Sequence, residues 1–203
     1  MKLYYMPGAC PLAAHIVLEW IGAPYEEVRL SHGDLHKDAY LRINPLGMVP
    51  ALEVDGSVIT QNAGVLSYLA EAYPDAKLGG DGTPRGDAEV HRWLGFVNSD
   101  MHPAFKPLFG ATAYLDDDVT IEKTKAHAKQ AVRRLFEFVN GRLSGRDWVA
   151  DTRSTADAYL FVMIRWAHAV GIDISDLAEV ARFFARMNRD AGVIRALKAE
   201  GLV

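Results

Sequence analysis

The chain has 203 residues, 50% of them hydrophobic, and a formal net charge of −4 at pH 7. This length can bury a sizeable core in one large domain or two small ones. Lysine and arginine are scattered, which argues against a nucleic-acid-binding face, and no apolar run is long enough to span a membrane. The single cysteine excludes an intrachain disulfide and, with no secretory signal pattern, predicts a cytoplasmic protein.

The first eighty residues alternate strand and helix signals. Residues 2–5 predict a strand, and an apolar stripe with helical period follows until Gly22. Residues 26–30 alternate as a second strand does. The pair Asp55-Gly56 between two more strand-like runs indicates a hairpin, and a helix is predicted over 62–72. This order predicts a small α/β domain.

The composition changes at "GGDGTPRGD", which is rich in glycine and polar residues as linkers are. Beyond it only helical patterns occur, so we predict an all-helical second domain. Ser154 and Asp157 have the spacing of a capping box, and the apolar helix that follows them should form the centre of this domain. The predicted division is 1–79 for the first domain, 80–86 for the linker and 87–203 for the second domain.

Cys10 lies between the first strand and the first helix, where Pro11 suits the first helical turn. Unpaired backbone N–H groups and the helix dipole at that end favour the thiolate, so we predict a lowered pKa. The alternative is a small buried hydrophobe, as most free cysteines are. Because Ala13 stands where a dithiol oxidoreductase has its second cysteine, the site suits a small external thiol.

Two further segments carry candidate binding residues. Val49-Pro50 directly precedes a strand expected in the interior, where proline removes a ladder donor. A cis bond there would turn the backbone of Val49 toward an extended peptide, whereas a trans proline would merely begin the strand. Gln61 and Asn62 lie where a strand ends and a helix begins. The helix N–H groups could bind a carboxylate there, or Asn62 could simply cap the helix.

The histidines give no metal site. His32 and His36 are four residues apart, a spacing that is compatible with a metal on a helix. They lie in a polar segment without a third ligand nearby, so no metal is predicted.

In this order and spacing, the three segments resemble the N-terminal domain of a cytosolic glutathione transferase. Cys10, in place of a tyrosine or serine, is similar to the bacterial beta class. The resemblance continues through "SDMHPAFKPLF", "STADAYLF" and "RMNRDAGVIRALKAEGL", and so covers essentially the whole chain. It implies an α/β thioredoxin-like domain with a four-stranded mixed sheet, an all-α domain, glutathione as co-substrate, and a homodimer.

The resemblance also implies a glutathione site in the first domain. Val49, flanked by Met48 and a cis-Pro50, would pair its backbone with the cysteinyl part of glutathione. Gln61 and Asn62 would hold the γ-glutamyl end, with the N–H groups at Asn62 taking the carboxylate.

Other residues would surround the two ends of glutathione. Cys10 would lie near the sulfur, and Ser99 and His102 of the second domain would face that sulfur across the cleft. For the glycine carboxylate the chain offers His36 and Lys37, and the choice between them stays open.

The reaction implied is attack of the glutathione thiolate on a small apolar electrophile held between the domains. His102 and the backbone donors would favour the thiolate, which is the nucleophile. Phe105 and Trp166 are candidates for the electrophile site. Alternatively, Cys10 forms a mixed disulfide with glutathione, giving thiol-transfer or peroxidase chemistry.

Some positions depart from the family pattern. Gln61-Asn62 stands where an acidic residue followed by serine is usual, which should weaken the pairing with the ammonium of glutathione. Gly95 stands where an amide residue usually reaches the partner subunit's site. The missing acid is the argument for a second hypothesis, a non-catalytic ligand- or protein-binding member of the fold. The joint presence of Cys10, Val49-Pro50 and His102 favours the enzyme.

Overall fold

A computed structural model describes residues 1–203, and four short strands form one mixed sheet at the N-terminal end of the chain. They are β1 (Lys2–Tyr5), β2 (Glu26–Arg29), β3 (Ala51–Val54) and β4 (Ser57–Thr60), in the spatial order β2-β1-β3-β4. β2 runs parallel to β1, and β3 is antiparallel to β1 and β4. Asp55 and Gly56 both have positive φ angles, as the predicted tight hairpin requires.

The helices α1 (Leu12–Ile21), α2 (Asp38–Leu41) and α3 (Asn62–Ala72) complete the first domain. Every residue from Leu12 to Leu18 is buried. The reason is that α1 is covered on a second side by two helices of the C-terminal half, α7 (Thr155–Ala169) and α9 (Ala191–Glu200). One hydrophobic core therefore continues from the sheet into the helical half.

The C-terminal half is helical throughout. Besides α7 and α9 it contains α4 (Pro84–Phe96), a π-helical turn (Val97–Met101), α5 (His102–Ala104), α6 (Asp118–Arg142) and α8 (Ala178–Met187). α4 begins inside the predicted linker, with the Thr83 side chain accepting from the Gly86 N–H at 3.0 Å. The division 1–79, 80–86 and 87–203 stays a prediction. No helix combines the length and apolarity needed to cross a membrane.

The predicted capping box at the start of α7 is present. Asp157 is fully buried, and its Oδ2 accepts from the Ser154 N–H at 2.8 Å, while its Oδ1 accepts from the Val149 N–H at 3.0 Å. The first ten residues of α7, from Thr155 to Ile164, are all buried. α7 is therefore the central helix of its domain, as its apolar sequence predicts.

Candidate functional site

A cleft of about 660 Å³ separates the sheet from the helical half. Its walls are the loop after β1, the segment before β3, the start of α3, the 98–109 segment and one side of α7. Eight of the predicted site residues line it together: Cys10, Met48, Val49, Pro50, Gln61, Asn62, His102 and Trp166.

Four predicted site residues lie off the cleft wall. Ser99 is exposed and does not line the cleft, whereas Asn98, one residue earlier in the π-helical turn, does. Phe105 is completely buried behind the wall, with its ring stacked on that of Phe109 at 5.9 Å.

The other two, His36 and Lys37, are exposed and do not line the cleft. The ammonium of Lys37 is 2.7 Å from Asp34 and is therefore already paired. Of this loop, Leu35 and His32 line the cleft, and His32, which the sequence suggests only as a metal ligand, is the titratable one.

The predicted thiolate at Cys10 is wrong for the ligand-free protein. The side chain is only 8% exposed, and its Sγ donates to the Val49 carbonyl at 3.6 Å. Burial raises the pKa of the thiol to about 12, although a backbone hydrogen bond opposes this. Desolvation therefore outweighs the helix N-terminus, whose influence on a charge is smaller than that of full burial. Cys10 is a protonated thiol at neutral pH.

His102 forms a pair with Tyr159 at the base of the cleft. Its Nδ1 is 2.5 Å from the Tyr159 hydroxyl, and the two rings meet edge to face. Burial, and then the charge of Lys106, lower the pKa of His102, while burial raises the pKa of Tyr159. Both groups are therefore neutral at pH 7.

This pair also fixes where the imidazole carries its proton. The Tyr159 hydroxyl is fully buried, and His102 Nδ1 is the acceptor within reach of its proton, so donating to Nδ1 is the arrangement that satisfies that proton. The neutral ring of His102 then holds its proton on Nε2, which has no partner in the protein. His102 Nε2–H is thus a free donor in the cleft that Cys10 also lines.

The start of α3 presents unpartnered polar groups. Asn62 is only 4% exposed, yet neither atom of its amide has a hydrogen-bond partner. Gln61, the residue before it, has a φ of 68°, a strained conformation for a non-glycine residue and one that clusters at binding sites. A buried unsatisfied amide costs about 1–3 kcal/mol, so its presence at a cleft indicates a polar ligand.

The segment before β3 presents a free strand edge. The Val49-Pro50 bond is cis. The Met48 carbonyl accepts from the Tyr40 hydroxyl at 2.7 Å and from the Asn44 amide at 2.6 Å. The N–H of Val49 has no partner in the protein. It can therefore donate to the backbone of an extended peptide.

The comparisons with known proteins agree on one family. The model for the glutathione S-transferase N-terminal domain matches residues 1–71, and the C-terminal domain model matches residues 97–190. Glutathione S-transferase GST-4.5 of Xanthomonas campestris pv. campestris is 51% identical over 203 residues, with 100% of both chains covered. The chain belongs to the glutathione S-transferase family.

Comparison with solved structures indicates the class of the transferase within the family. A glutathione S-transferase from Xylella fastidiosa superposes with a TM-score of 0.97 and 45% identity, covering 100% of this chain and 99% of the other. The bacterial beta-class enzyme of Sphingomonas chungbukensis has a TM-score of 0.89 and 38% identity, with 100% of both chains covered. The predicted thioredoxin-like and all-helical fold and the beta-class resemblance are confirmed.

Family membership also makes the protein a transferase with glutathione as its co-substrate, as predicted, and the non-catalytic hypothesis is not favoured. No group of three or more histidine, cysteine, aspartate or glutamate side chains could hold a metal ion.

The loop that carries Cys10 is held from the C-terminal half. The Gly8 N–H donates to Glu200 Oε2 at 2.7 Å, and the Gly8 carbonyl accepts from Trp166 Nε1 at 2.8 Å. Glu200 is buried and contacts His15 through its other oxygen at 3.1 Å. The transferase therefore fixes the sheet side of its cleft with residues more than 150 positions away in the chain.

Proposed function

We propose that this transferase binds glutathione along the sheet side of the cleft and conjugates its sulfur to an electrophile on the helical side. The observation that carries the proposal is the set of unpartnered polar groups on the sheet side of the cleft: the Val49 N–H and the Asn62 amide. An extended tripeptide with one carboxylate at the start of α3 would satisfy these groups together.

The proposal gives each end of glutathione a partner. The backbone of Val49 pairs with the cysteinyl residue, and Gln61 and Asn62 hold the γ-glutamyl end. His32 faces the glycine end, since it is the titratable side chain of the 31–38 loop that lines the cleft. The sulfur then lies near Cys10 and His102.

His102 acts as a hydrogen-bond donor in this arrangement. Its Nε2 proton would stabilise the glutathione thiolate, and the neutral state of the ring is maintained by burial. A general base is not required, because stabilising the thiolate already increases its population at neutral pH. Cys10 would contribute its S–H and its small volume, not a negative charge.

Thiol transfer or peroxidase chemistry through Cys10 stays a prediction. It needs the Cys10 thiolate as attacking group, and burial of the thiol works against that state. We propose conjugation as the principal activity.

The native protein and Cys10→Ala are expected to conjugate glutathione to 1-chloro-2,4-dinitrobenzene at rates within about threefold of one another. The measurement is the formation of the dinitrophenyl thioether in excess of the reaction without enzyme. In parallel, intact mass after incubation with oxidised glutathione should show no adduct on either protein. An adduct on the native protein, together with loss of conjugation in the variant, would instead establish Cys10 as the reactive thiol.

We further propose that the transferase is a homodimer located in the cytoplasm. Phe138 on α6 is 54% exposed, and its ring packs beside those of buried Trp93 and half-buried Phe96, at centroid distances of 5.6 and 5.3 Å. Phe138 and Phe96 thus form an aromatic surface, and apolar side chains that are exposed next to one another are typical of subunit interfaces.

Placing a charge on this aromatic surface is expected to separate the subunits. Phe138→Glu should sediment as a monomer at micromolar concentration, whereas the native protein sediments as a dimer. Tyr114→Glu is the matched control, because Tyr114 is 79% exposed and lies outside the aromatic surface. A Phe138→Glu protein that sediments as the native one does would place the interface elsewhere.

A further inference from the structure

The helical wall of the cleft carries a positive charge that the conjugation chemistry above does not use. Lys106 begins the 3₁₀ segment Lys106–Phe109 and lines the cleft. The lysine ion pairs of the chain are formed by Lys2, Lys37 and Lys125, and not by Lys106. Its ammonium is therefore free to bind an anion.

No aspartate or glutamate lines the cleft to neutralise this charge. The titratable groups on its walls are Cys10, His32, His102, Tyr159 and Lys106. None of them is an acid that is ionised at neutral pH in the ligand-free protein, because burial raises the pKa values of Cys10 and Tyr159. The cleft therefore favours ligands with negative charge.

An aromatic surface lies beside this ammonium. Phe109 is 52% exposed and lines the cleft, and its ring meets that of Trp166 edge to face at 5.0 Å. Phe109 follows Lys106 by three residues in a 3₁₀ segment, where side chains three positions apart project to the same side. The fold thus sets the exposed aromatic face of Phe109 and a free cation on the same side of the segment.

We propose that the electrophile this transferase prefers is a planar aromatic compound that carries a carboxylate, and that Lys106 determines this specificity. The inference rests on the proposed function and names the substrate class of the same site. The ring lies against Phe109 and Trp166, and the carboxylate meets the ammonium of Lys106.

The chemistry is a substitution at an aromatic carbon that carries chloride. The glutathione sulfur forms a bond to that carbon, the carbon–chlorine bond breaks, and chloride leaves with the electron pair. The thiol proton is released to water, and the carboxylate of the electrophile keeps its charge throughout. No group is oxidised or reduced.

Lys106 is assigned to the electrophile and not to glutathione because of its position. It belongs to the helical wall, one turn beyond His102, whereas the unpartnered groups proposed for glutathione belong to the sheet side. A lysine on the glutathione carboxylates would instead affect every substrate equally. This difference makes the two roles separable by kinetics.

The test compares 4-chloro-3-nitrobenzoate with 4-chloro-3-nitrobenzamide, which have the same leaving group and nearly the same shape but differ in charge. Each kcat/KM is divided by the rate constant of the reaction without enzyme, which removes the difference in intrinsic reactivity. For the native protein we expect this ratio to favour the benzoate about 10-fold. Lys106→Gln should abolish the preference, and Lys106→Arg should keep it.

Lys198→Gln on α9 is the matched control, because Lys198 is exposed, outside the cleft and of the same charge. It should leave the preference for the benzoate in place. Conjugation of both compounds without a preference would overturn the inference but not the proposed function. An increased KM for glutathione in Lys106→Gln, with the benzoate preference intact, would also overturn it. Failure to conjugate either compound would also overturn the inference if 1-chloro-2,4-dinitrobenzene is conjugated, and failure with all three compounds would overturn the proposed function itself.

Discussion

Replacing His102 with alanine is expected to lower kcat/KM for conjugation about 100-fold, the usual loss when one preorganised donor to a developing or bound anion is removed. In the structure the Nε2 proton of His102 is free, and the tautomer is fixed by the buried Tyr159 hydroxyl at 2.5 Å from Nδ1. Without this donor the glutathione thiolate loses a hydrogen bond inside the cleft, and the thiol becomes a weaker acid.

The pH profile should separate this role from a structural one. In the native protein kcat/KM should rise with pH as bound glutathione ionises, and in His102→Ala this rise should move about one to two pH units higher. Tyr159→Phe should move it in the same direction but less, with an activity loss of about 10-fold, because an unbound Nδ1 allows the proton to leave Nε2.

His168→Ala is the control for this series, since His168 is an exposed histidine of α7 that does not line the cleft. It should keep the native rate and profile. A His102→Ala protein with native kcat/KM and an unmoved profile would show that the thiolate is stabilised by backbone groups alone.

The local patterns of the sequence account well for the elements that place the site. Asp55-Gly56 predicts the hairpin, and Ser154 and Asp157 predict the cap of α7, because both are decided by residues a few positions apart. The position of Cys10 between β1 and α1 is predicted in the same way. These are features in which short-range hydrogen bonding determines the backbone.

The pKa values of the site residues cannot be predicted from the local sequence, because the burial of a side chain depends on residues that are far away in the chain. The sequence around Cys10 contains a helix N-terminus and predicts a low pKa. The pKa is raised instead, because α1 is covered by helices that begin more than 140 residues later in the chain. The sequence does not indicate a site role for Tyr159 for the same reason: within an apolar helix, no local pattern distinguishes a residue that faces a cleft from one in the core.

The direction of the side chains in the 97–109 segment is the second feature that the sequence does not predict. In the π-helical turn at Val97–Met101, Asn98 lines the cleft, whereas Ser99, which the family resemblance implies, is exposed. The following 3₁₀ segment places Phe109 on the cleft, while Phe105, just before that segment, is buried. Deviations from α-helical winding are seldom visible in composition, yet each one rotates the residues that follow.

Replacing Asn62 with leucine is expected to weaken glutathione binding about 30-fold and, at the same time, to stabilise the ligand-free protein by about 1 kcal/mol. Both effects have one cause. The amide of Asn62 is buried at 4% exposure and has no partner without ligand, so the ligand-free protein bears the cost of an unsatisfied group. Leucine has a similar shape and removes that cost, but it cannot pair with the γ-glutamyl end of glutathione.

Two measurements check the expected loss of affinity and gain of stability. Titration calorimetry gives the affinity for glutathione, and urea unfolding at fixed protein concentration gives the stability. Thr155→Val is the matched control, because the Thr155 hydroxyl is also buried and unpartnered but does not line the cleft. That variant should gain stability and keep its affinity for glutathione.

The opposite signs exclude a purely structural role for Asn62. A variant that lost affinity because the start of α3 had been distorted would also lose stability. A gain in stability with a loss of affinity is expected if the amide is unsatisfied in the ligand-free protein, which it destabilises, and forms its hydrogen bonds only with the ligand. An Asn62→Leu protein that is less stable and still binds glutathione as the native one does would remove Asn62 from the site and leave the γ-glutamyl end to Gln61.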